Sequence, residues 1–347
     1  MSIELGQPGD YHVHLRDGDM MNLVTPTIPT GGVSVCYVMP NLNPPIVTPK
    51  HALAYKAELQ ALSPTTTFLM SMYLSPSITP EMVFEAAKSG VSGIKCYPAG
   101  VTTNSEHGVS SYEAFYPVFS AMEEAGLVLN LHGECPCTAA NADYITVLNA
   151  EEEFLPTLKD LHSRFPKLRI ILEHCTTAAA VQAVRECGPT VVGTITAHHL
   201  YLIVDNWGGN ALHFCKPVAK WPHDRRALID AATSGDAKFF LGTDSAPHPL
   251  KNKRKAMGAA AGVFTQSHAI PYVAQVFEAE GKLDTLKAFV TDNGRKFYNW
   301  NQELSQSNKQ VRLIRKANSI PASFGEGDEA VIPFKAGESL NWSIEWY

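Results

Sequence analysis

The chain has 347 residues, 45% hydrophobic and 18% charged, enough to bury the core of one large barrel or two ordinary domains. Its net charge of −6 argues against a nucleic-acid-binding surface, and it contains no apolar run long enough to predict a membrane span. The N-terminal residues lack a basic region followed by an apolar one, and the seven cysteines have no regular spacing. We therefore expect a cytoplasmic protein in a reducing setting, without a signal peptide.

Eight short apolar segments predict strands, and amphipathic segments separate several of them. The predicted strands are the segment around His12 and residues 33–39, 67–74, 91–97, 127–132, 168–174, 191–196 and 239–243. The predicted helices are residues 49–62, 80–89, 112–125, 150–165, 177–187 and 224–234. Such alternation predicts a parallel sheet covered by helices, and eight units fit a (β/α)8 TIM-type barrel. A doubly wound open sheet is the alternative, but no glycine-rich phosphate turn follows the first strand.

The C-terminal part of the chain has a different pattern. Residues 265–300 predict further helices, whereas residues 301–347 contain short strand candidates at 311–315, 330–334 and 341–346 between glycine and polar stretches. We therefore predict a barrel domain over residues 1–300 and a small C-terminal appendage over residues 301–347, packed on the barrel.

His12 and His14 lie two residues apart in Asp-Tyr-His-Val-His-Leu-Arg. A strand sends alternate side chains to the same face, so both imidazoles should point to one spot while Tyr11 and Val13 point the other way. Two converging imidazoles are half of a zinc site, although this spacing also occurs in ordinary strands.

Further polar residues lie at or just after the ends of the predicted strands. These are Asn41, Lys95, His132, His174 and Asp244. In a (β/α)8 barrel the carboxyl ends of the strands form the active-site mouth, so these side chains should converge there with the two histidines. Their coincidence predicts a metal-dependent catalytic centre.

Lys95 does not fit this cluster as an ordinary ammonium, because a cation is repelled by metal ions. It fits if the amine is deprotonated and has reacted with carbon dioxide, since the resulting carbamate is anionic and can bridge two cations. The alternative is a lysine that binds an anionic substrate as a point charge. The sequence leaves both interpretations open.

Four segments carry a resemblance to a known family. These are residues 12–16 (His-Val-His-Leu-Arg), residues 39–41 (Met-Pro-Asn), residues 95–100 (Lys-Cys-Tyr-Pro-Ala-Gly) and residues 242–248 (Gly-Thr-Asp-Ser-Ala-Pro-His). In these segments the chain resembles the dihydroorotase family of the amidohydrolase superfamily, in its short single-function form. The resemblance runs from Gly9 to about Trp300, and we expect it to extend over the whole length. The last two segments are far more specific than the histidine pair.

The resemblance implies two zinc ions with a hydroxide between them. The first zinc would be held by His12, His14 and Asp244, and the second by His132 and His174. Carbamylated Lys95 would bridge both ions, and Asp244 would act as the proton shuttle. Glu134 and Glu173 flank two of the histidines and could serve as their outer partners.

The resemblance also implies a substrate and its contacts. Arg16, Asn41 and His248 would hold the substrate carboxylate, and Thr102 and Thr103 match a loop that closes over the substrate. The implied reaction is the reversible cyclisation of N-carbamoyl-L-aspartate to L-dihydroorotate in pyrimidine biosynthesis. A homodimer is expected from the family, and neither nucleic acid nor membrane is expected as a partner.

Other polar residues predict less. His198 and His199 follow the seventh strand and are interpreted as outer-shell or structural residues, because five side chains and a carbamate already fill two zinc sites. The side-chain role of Lys216 is left open. The basic run at 251–255 predicts a solvated face rather than a binding patch.

Two rival functions share parts of this pattern. Another cyclic amidase, such as a hydantoinase, would share the metal-binding residues but would not need Arg16, Asn41 and His248 together as a carboxylate clamp. A non-catalytic barrel that serves as a binding or assembly module would lose metal ligands, whereas every expected ligand is present in this chain.

Overall fold

The computed structural model describes residues 2–101, 105, 108–255, 257–300 and 305–347. Eight parallel strands pair in chain order as a barrel. They are β2 Gly9–Val13, β3 Val35–Val38, β4 Thr67–Tyr73, β5 Gly93–Cys96, β6 Val128–Leu131, β7 Arg169–Leu172, β8 Val191–Ile195 and β9 Phe239–Leu241. The predicted (β/α)8 fold is therefore confirmed.

Helices follow most strands and cover the outside of the barrel. They are α1 Gly18–Val24, α2 Pro49–Leu62, α3 Pro80–Lys88, α4 Tyr116–Ala125, α5 Ala150–Arg164, α6 Ala178–Glu186, α7 Val204–Trp207, α8 Pro222–Thr233, α9 Leu250–Lys253, α10 Ala269–Ala279 and α11 Asn293–Phe297. A π-helical turn, Ala288–Asp292, precedes α11. The six predicted helices are present with small shifts at their ends, and in the described part of the chain no helix is long and apolar enough to cross a membrane.

The barrel closes where its first strand meets its last. The backbone N–H of Asp244 donates to the carbonyl of His12 at 2.8 Å, and the N–H of His14 donates to the carbonyl of Ser245 at 3.0 Å. Asp10 reinforces this seam, since its buried carboxylate accepts from the backbone N–H of Thr243 at 2.8 Å. The seam thus fixes the two histidines of β2 directly beside Asp244.

The strand β2 is irregular, and this changes which side chains face the interior. Its pairing with β3 shifts register between Asp10 and Val13. Tyr11 consequently packs at the bottom of the barrel with Tyr37 and Phe240, although His12 also faces the interior. The predicted separation of Tyr11 from the imidazole face is therefore wrong, because a bulge breaks the two-residue alternation.

The appendage is a three-stranded antiparallel sheet of β1 Ser2–Gly6, β10 Val311–Ser319 and β11 Ser339–Trp346. The predicted third strand at 330–334 is wrong as a strand, because that segment makes only isolated bridges through Val331 and Pro333. The sheet takes its third strand from the N-terminal side of the chain instead. The division at residue 300 stays a prediction.

Candidate active site

The predicted residues at the strand ends meet at the carboxyl rim of the barrel. Nε2 of His12 and Nε2 of His14 lie 3.3 Å and 3.0 Å from the same atom, Oδ1 of Asp244. The ring of His174 lies 5.0 Å from that of His12 and 4.7 Å from that of His132, measured between centroids. Four imidazoles and a carboxylate from four strands thus form one cluster.

The backbone at this rim adopts conformations that side chains normally avoid. Arg16, His174 and Asp244 have φ angles of 61°, 42° and 48°, three of the five such non-glycine residues among those described. Left-handed backbone at a non-glycine residue costs free energy and persists only where the surrounding structure enforces it. The turns after β2, β7 and β9 therefore hold these three side chains in the mouth at the expense of local strain.

Three of the four histidines have one ring nitrogen held by a buried partner. Glu173 contacts Nδ1 of His12 at 2.9 Å, and Glu134 contacts Nε2 of His132 at 2.7 Å. The third contact runs from Nδ1 of His14 to Oδ1 of Asn41, at 2.9 Å. An outer acceptor fixes the proton on one nitrogen and leaves the lone pair of the other free for a ligand bond. The expectation that Glu134 and Glu173 act as outer partners agrees with this geometry.

Burial sets the charges in the cluster. It lowers the pKa of His14 to about 4 and also lowers the pKa values of His132 and His174, so these rings are neutral near pH 7. Burial alone would raise the pKa of Asp244, but the imidazoles of His12 and His14 hold it well below its usual value. Three neutral imidazoles and an ionised carboxylate are forms that bind a divalent cation. His12 differs, because Glu173 and Asp244 raise its pKa despite its burial.

Lys95 reaches the same cluster from β5. It is fully buried, and its ammonium has no hydrogen-bond partner among the described residues. Burial lowers its pKa to about 8, against the opposing influence of Glu173 and Asp244. A minor fraction of the amine is therefore neutral near neutral pH, and the neutral amine is the form that can react with carbon dioxide. These properties agree with the carbamate interpretation. A buried ammonium without a hydrogen-bond partner costs free energy, and the carbamate avoids that cost.

The donor set fits a metal centre. The ligand atoms of His12, His14 and Asp244 all lie within 4.8 Å of one another. Nδ1 of His174 is buried without a hydrogen-bond partner, like the Lys95 amine. A buried polar atom without a partner calls for an explanation, and a metal ligated by these groups supplies one.

A small cavity opens beside this cluster. It is lined by His14, Arg16, Asn41, Lys216, Asp244, Ala246, Ala261 and Gly262. Arg16 donates through Nε to the Pro247 carbonyl at 3.1 Å, and its Nη2 lies 3.1 Å from Nε2 of His248. The same His248 nitrogen lies 3.0 Å from the Ala261 carbonyl.

One imidazole nitrogen cannot satisfy both contacts. If Nε2 of His248 carries the proton, it donates to the Ala261 carbonyl, and Nη2 of Arg16 then has no acceptor at this nitrogen. Arginine is always a donor, so this guanidinium N–H remains available to an acceptor in the cavity. A carboxylate is the acceptor whose geometry suits it best.

Two residues in the mouth were not assigned a role from the sequence. Tyr97 lies two residues after Lys95, its ring is 5.1 Å from the Lys95 amine, and its buried hydroxyl has no hydrogen-bond partner among the described residues. Its spacing of two residues from Lys95 indicates in the sequence that both side chains face the same side. Lys216 lines the cavity and donates to the Val101 carbonyl at 2.7 Å, which ties it to the start of the loop after β5.

A second buried group of possible ligands, His198, His199 and Cys215, lies beside the mouth. Nε2 of His199 and Sγ of Cys215 both contact the Pro217 carbonyl, at 3.1 Å and 3.3 Å. A carbonyl only accepts, so both groups are protonated donors in this arrangement. These contacts agree with the structural role expected for His199, whereas both ring nitrogens of His198 are buried without a hydrogen-bond partner among the described residues.

Two further predictions have different outcomes. Thr102 and Thr103 lie outside the described residues. The basic run at 251–255 is not uniformly solvated, because Lys253 is 4% exposed while Lys251 pairs with Glu329 at the surface. The expectation of a solvated face is therefore wrong for Lys253, whose ammonium turns inward to backbone carbonyls.

A (β/α)8 barrel with such a cluster at its carboxyl rim is the architecture of the amidohydrolases, and the amidohydrolase family model matches residues 60–300. The chain is 52% identical to dihydroorotase from Saccharomyces cerevisiae, over 99% of this chain and 98% of that protein. It is 54% identical to a probable dihydroorotase from Schizosaccharomyces pombe, over the full length of both. The chain therefore belongs to the dihydroorotase family, in its single-function form.

The fold comparison agrees with the sequence comparison. A crystal structure of dihydroorotase from Saccharomyces cerevisiae in complex with 5-fluoroorotic acid superposes with a TM-score of 0.96 at 51% identity. The match covers 99% of this chain and 98% of that one. The barrel and the appendage sheet are thus both shared with this relative.

Proposed function

We propose that this chain is a dihydroorotase, which interconverts N-carbamoyl-L-aspartate and L-dihydroorotate within pyrimidine biosynthesis. In the hydrolytic direction, water adds to the ring amide carbonyl and the ring C–N bond breaks; cyclisation is the reverse and releases water. One arrangement carries the proposal: the His12, His14 and Asp244 cluster adjoins a cavity walled by Arg16. Membership of the dihydroorotase family supports it over the full length.

The metal centre is part of the proposal. Two zinc ions would be held by His12, His14, His132, His174 and Asp244, with Lys95 between them as its carbamate. When bound, the ions would supply Lewis acidity, which polarises the amide carbonyl and lowers the pKa of bound water to about 7. The unpartnered nitrogens of Lys95 and His174 support this assignment.

Asp244 is proposed to move the proton of the reaction. Its carboxylate is held ionised by the two imidazoles of β2, so one oxygen can accept the proton of the attacking water. The same oxygen can then deliver that proton to the leaving ring nitrogen, or take it back during cyclisation. The strained turn at Asp244 keeps the carboxylate at this place.

The substrate carboxylate is proposed to lie against Arg16, with Asn41 and His248 beside it. Arg16 offers the guanidinium N–H that His248 leaves without an acceptor. Asn41 serves a second purpose, since its Oδ1 also accepts from His14 and so joins the carboxylate subsite to the metal cluster. The hydroxyls of Thr102 and Thr103 are proposed as further substrate contacts.

The remaining proposals concern the setting of the enzyme. We propose a cytoplasmic homodimer that acts on small molecules. Its barrel domain would comprise residues 1–300 apart from β1, which pairs within the appendage formed by residues 301–347. The homodimer is proposed because it is expected from the family, and the cytoplasmic setting because the cysteines have no regular spacing. Sedimentation of the purified chain tests the dimer directly.

The function is tested by offering two substrates to one preparation. The zinc-loaded chain should hydrolyse L-dihydroorotate and leave hydantoin untouched, because hydantoin lacks the carboxylate that Arg16 would bind. Turnover of hydantoin instead would identify a different cyclic amidase. Failure with both substrates, in a protein with full metal content, would favour the non-catalytic module.

A further inference from the structure

Lys253 is the one member of its basic run that the fold turns inward. It is the last residue of α9, and its ammonium donates to the carbonyls of Phe214, Ala260 and Gly262 at 2.9, 2.9 and 2.7 Å. Lys251, two residues earlier on the same helix, has a side chain that is 50% exposed. The two lysines thus differ in environment while sharing one short helix.

The buried ammonium has no anionic partner. Among the residues that the structure describes, none places a carboxylate oxygen within 4.0 Å of it, and three neutral carbonyls take its protons. Burial lowers its pKa to about 8, so it stays largely protonated near neutral pH. A buried cation without a counter-ion costs free energy, and that cost falls when an anion comes to lie nearby.

The carbonyls that Lys253 binds belong to the wall of the carboxylate cavity. Ala260 and Gly262 flank Ala261, whose carbonyl contacts His248 and whose side chain lines the cavity. Phe214 accepts from Gly262 through the backbone at 2.9 Å as well, so Lys253 joins two segments that already meet. The three bonds therefore fix the position of the Ala261 carbonyl.

The packing around Gly262 shows how little room this wall has. A Cβ built on Gly262 would lie 2.3 Å from the Ala246 carbonyl oxygen and 2.9 Å from Cδ2 of His248. The segment is therefore pressed directly against the histidine of the carboxylate subsite. A displacement of Gly262 must move His248, and the contact from His248 to Arg16 transmits it further.

We propose that Lys253 is a positioning residue of the carboxylate subsite, which holds the Ala260–Gly262 wall against His248 and places an uncompensated positive charge behind the bound carboxylate. The proposal rests on the proposed function, since that function supplies the carboxylate. Lys253 does not touch the substrate itself. Its charge acts with that of Arg16, and its hydrogen bonds determine where His248 stands.

The test compares Lys253→Met with the matched control Lys251→Met. In the zinc-loaded enzyme, Lys253→Met should raise KM for dihydroorotate by about 10-fold or more, while kcat changes less than about threefold. Lys251→Met should leave both constants at the wild-type values. Lys253→Arg keeps the charge but cannot reach three carbonyls in the same way, so it should show a smaller rise in KM.

A second measurement follows the wall itself and needs no turnover. Hydrogen exchange at the amides of Ala260, Ala261 and Gly262 should become faster in Lys253→Met and stay unchanged in Lys251→Met. Unchanged KM together with unchanged exchange would overturn the inference while the proposed function stands. The exchange could be faster in Lys253→Met than in the wild type while the wild-type protein itself does not turn over dihydroorotate. That result would support the positioning role and refute the proposed function.

If Lys253→Met does not fold, Lys253→Arg decides the question. A wild-type KM and wild-type exchange in the arginine variant would then show that any buried cation suffices, and that the three-carbonyl geometry positions nothing.

Discussion

At the scale of single residues, the site depends on atoms that the protein leaves without partners. The amine of Lys95 and Nδ1 of His174 are buried and make no hydrogen bond within the described ranges. Each such atom costs free energy unless a ligand satisfies it. These two residues should therefore respond more strongly to metal than any hydrogen-bonded group nearby.

We expect Lys95→Ala to lose both metal and activity, because the carbamate proposed to bridge the two metals cannot form without the amine. Short-chain carboxylates added to the variant should restore part of both, since they can occupy the same space with the same charge. Metal content and turnover are measured on one sample. Full activity with two metals bound in Lys95→Ala would refute the bridge, and Lys88→Ala, at an exposed helix end, serves as the control.

Arg16→Met should weaken substrate binding rather than metal binding. The guanidinium supplies a charged donor to the proposed carboxylate, and losing a desolvated contact of this kind costs roughly 2–5 kcal/mol. The strained backbone at Arg16 stays the same for methionine, so the comparison isolates the side chain. Equilibrium binding of dihydroorotate measures the effect. Unchanged affinity would place the carboxylate clamp elsewhere in the cavity.

The position of the rim residues could be predicted because each is a polar residue at or just after the end of a predicted strand. In a (β/α)8 barrel the carboxyl ends of all strands lie at the same rim. Lys253 could not be predicted, because its burial depends on residues 260–262 folding back over α9. A run of four basic residues normally remains in water, and nothing local in the sequence marks one of them for the interior.

At the scale of elements, buried carboxylates join neighbouring segments at the rim. Glu151, in the first turn of α5, accepts from the backbone N–H of Thr176 at 2.9 Å and from the hydroxyl of Thr177 at 2.6 Å. Thr177 is the N-cap of α6. One carboxyl group thus fixes the turn between β7, which carries His174, and the helix that follows.

The burial of Glu151 predicts a pH dependence of stability. Burial raises the pKa of Glu151 from 4.5 to about 7, so the native state keeps a proton that the unfolded chain releases near pH 4.5. Its contribution to the free energy of unfolding is therefore complete below pH 4.5 and is lost as the pH rises towards 7. The full difference amounts to about 3 kcal/mol.

Glu151→Gln removes this titration. Urea unfolding at pH 5 and pH 8 should show a smaller difference between the two pH values in the variant than in the wild type. Glu152→Gln, next to it on the same helix, is the control, because that residue is exposed. Equal pH dependence in Glu151→Gln and the wild type would mean that another group carries the proton.

The elements themselves were predictable to different degrees. The helices α2, α3 and α6 each begin after a threonine whose side chain accepts from the helix backbone, which is a local signal in the sequence. The register shift in β2 was not predictable, because Gly9 lies at the start of the strand and does not indicate a shift between Asp10 and Val13. The register is set by pairing with other strands.

At the scale of the whole molecule, the appendage packs on α10 and on the segments around Pro29 and Thr291 of the barrel domain. Trp342 in β11 is fully buried, and its indole Nε1 donates to Glu278 in α10 at 3.2 Å. Asn341 donates its backbone N–H to Gln275 of the same helix at 3.2 Å. The sheet therefore shares its core with the barrel instead of forming one of its own.

Trp342→Ala should destabilise the entire protein. Removing a buried tryptophan leaves a cavity and costs about 3–5 kcal/mol in free energy of unfolding. Because the residue packs on Glu278 of α10 and on Arg315 of β10, the KM for dihydroorotate should not change. Denaturant unfolding and steady-state kinetics on one preparation measure both. A raised KM at unchanged stability would show that the sheet communicates with the site.

The pairing of β1 with β10 also constrains the order in which the chain can fold. Ser2 pairs with Ile314, so the partner of β1 leaves the ribosome only after every strand of the barrel has been synthesised. Until then β1 presents an open edge to other chains, and such edges promote aggregation. Glu4 lies exposed within this strand and places a charge on that edge, which opposes pairing between nascent copies. The pair of β1 and β10 thus forms only after the barrel strands have been synthesised, and it belongs to the appendage sheet rather than to the barrel.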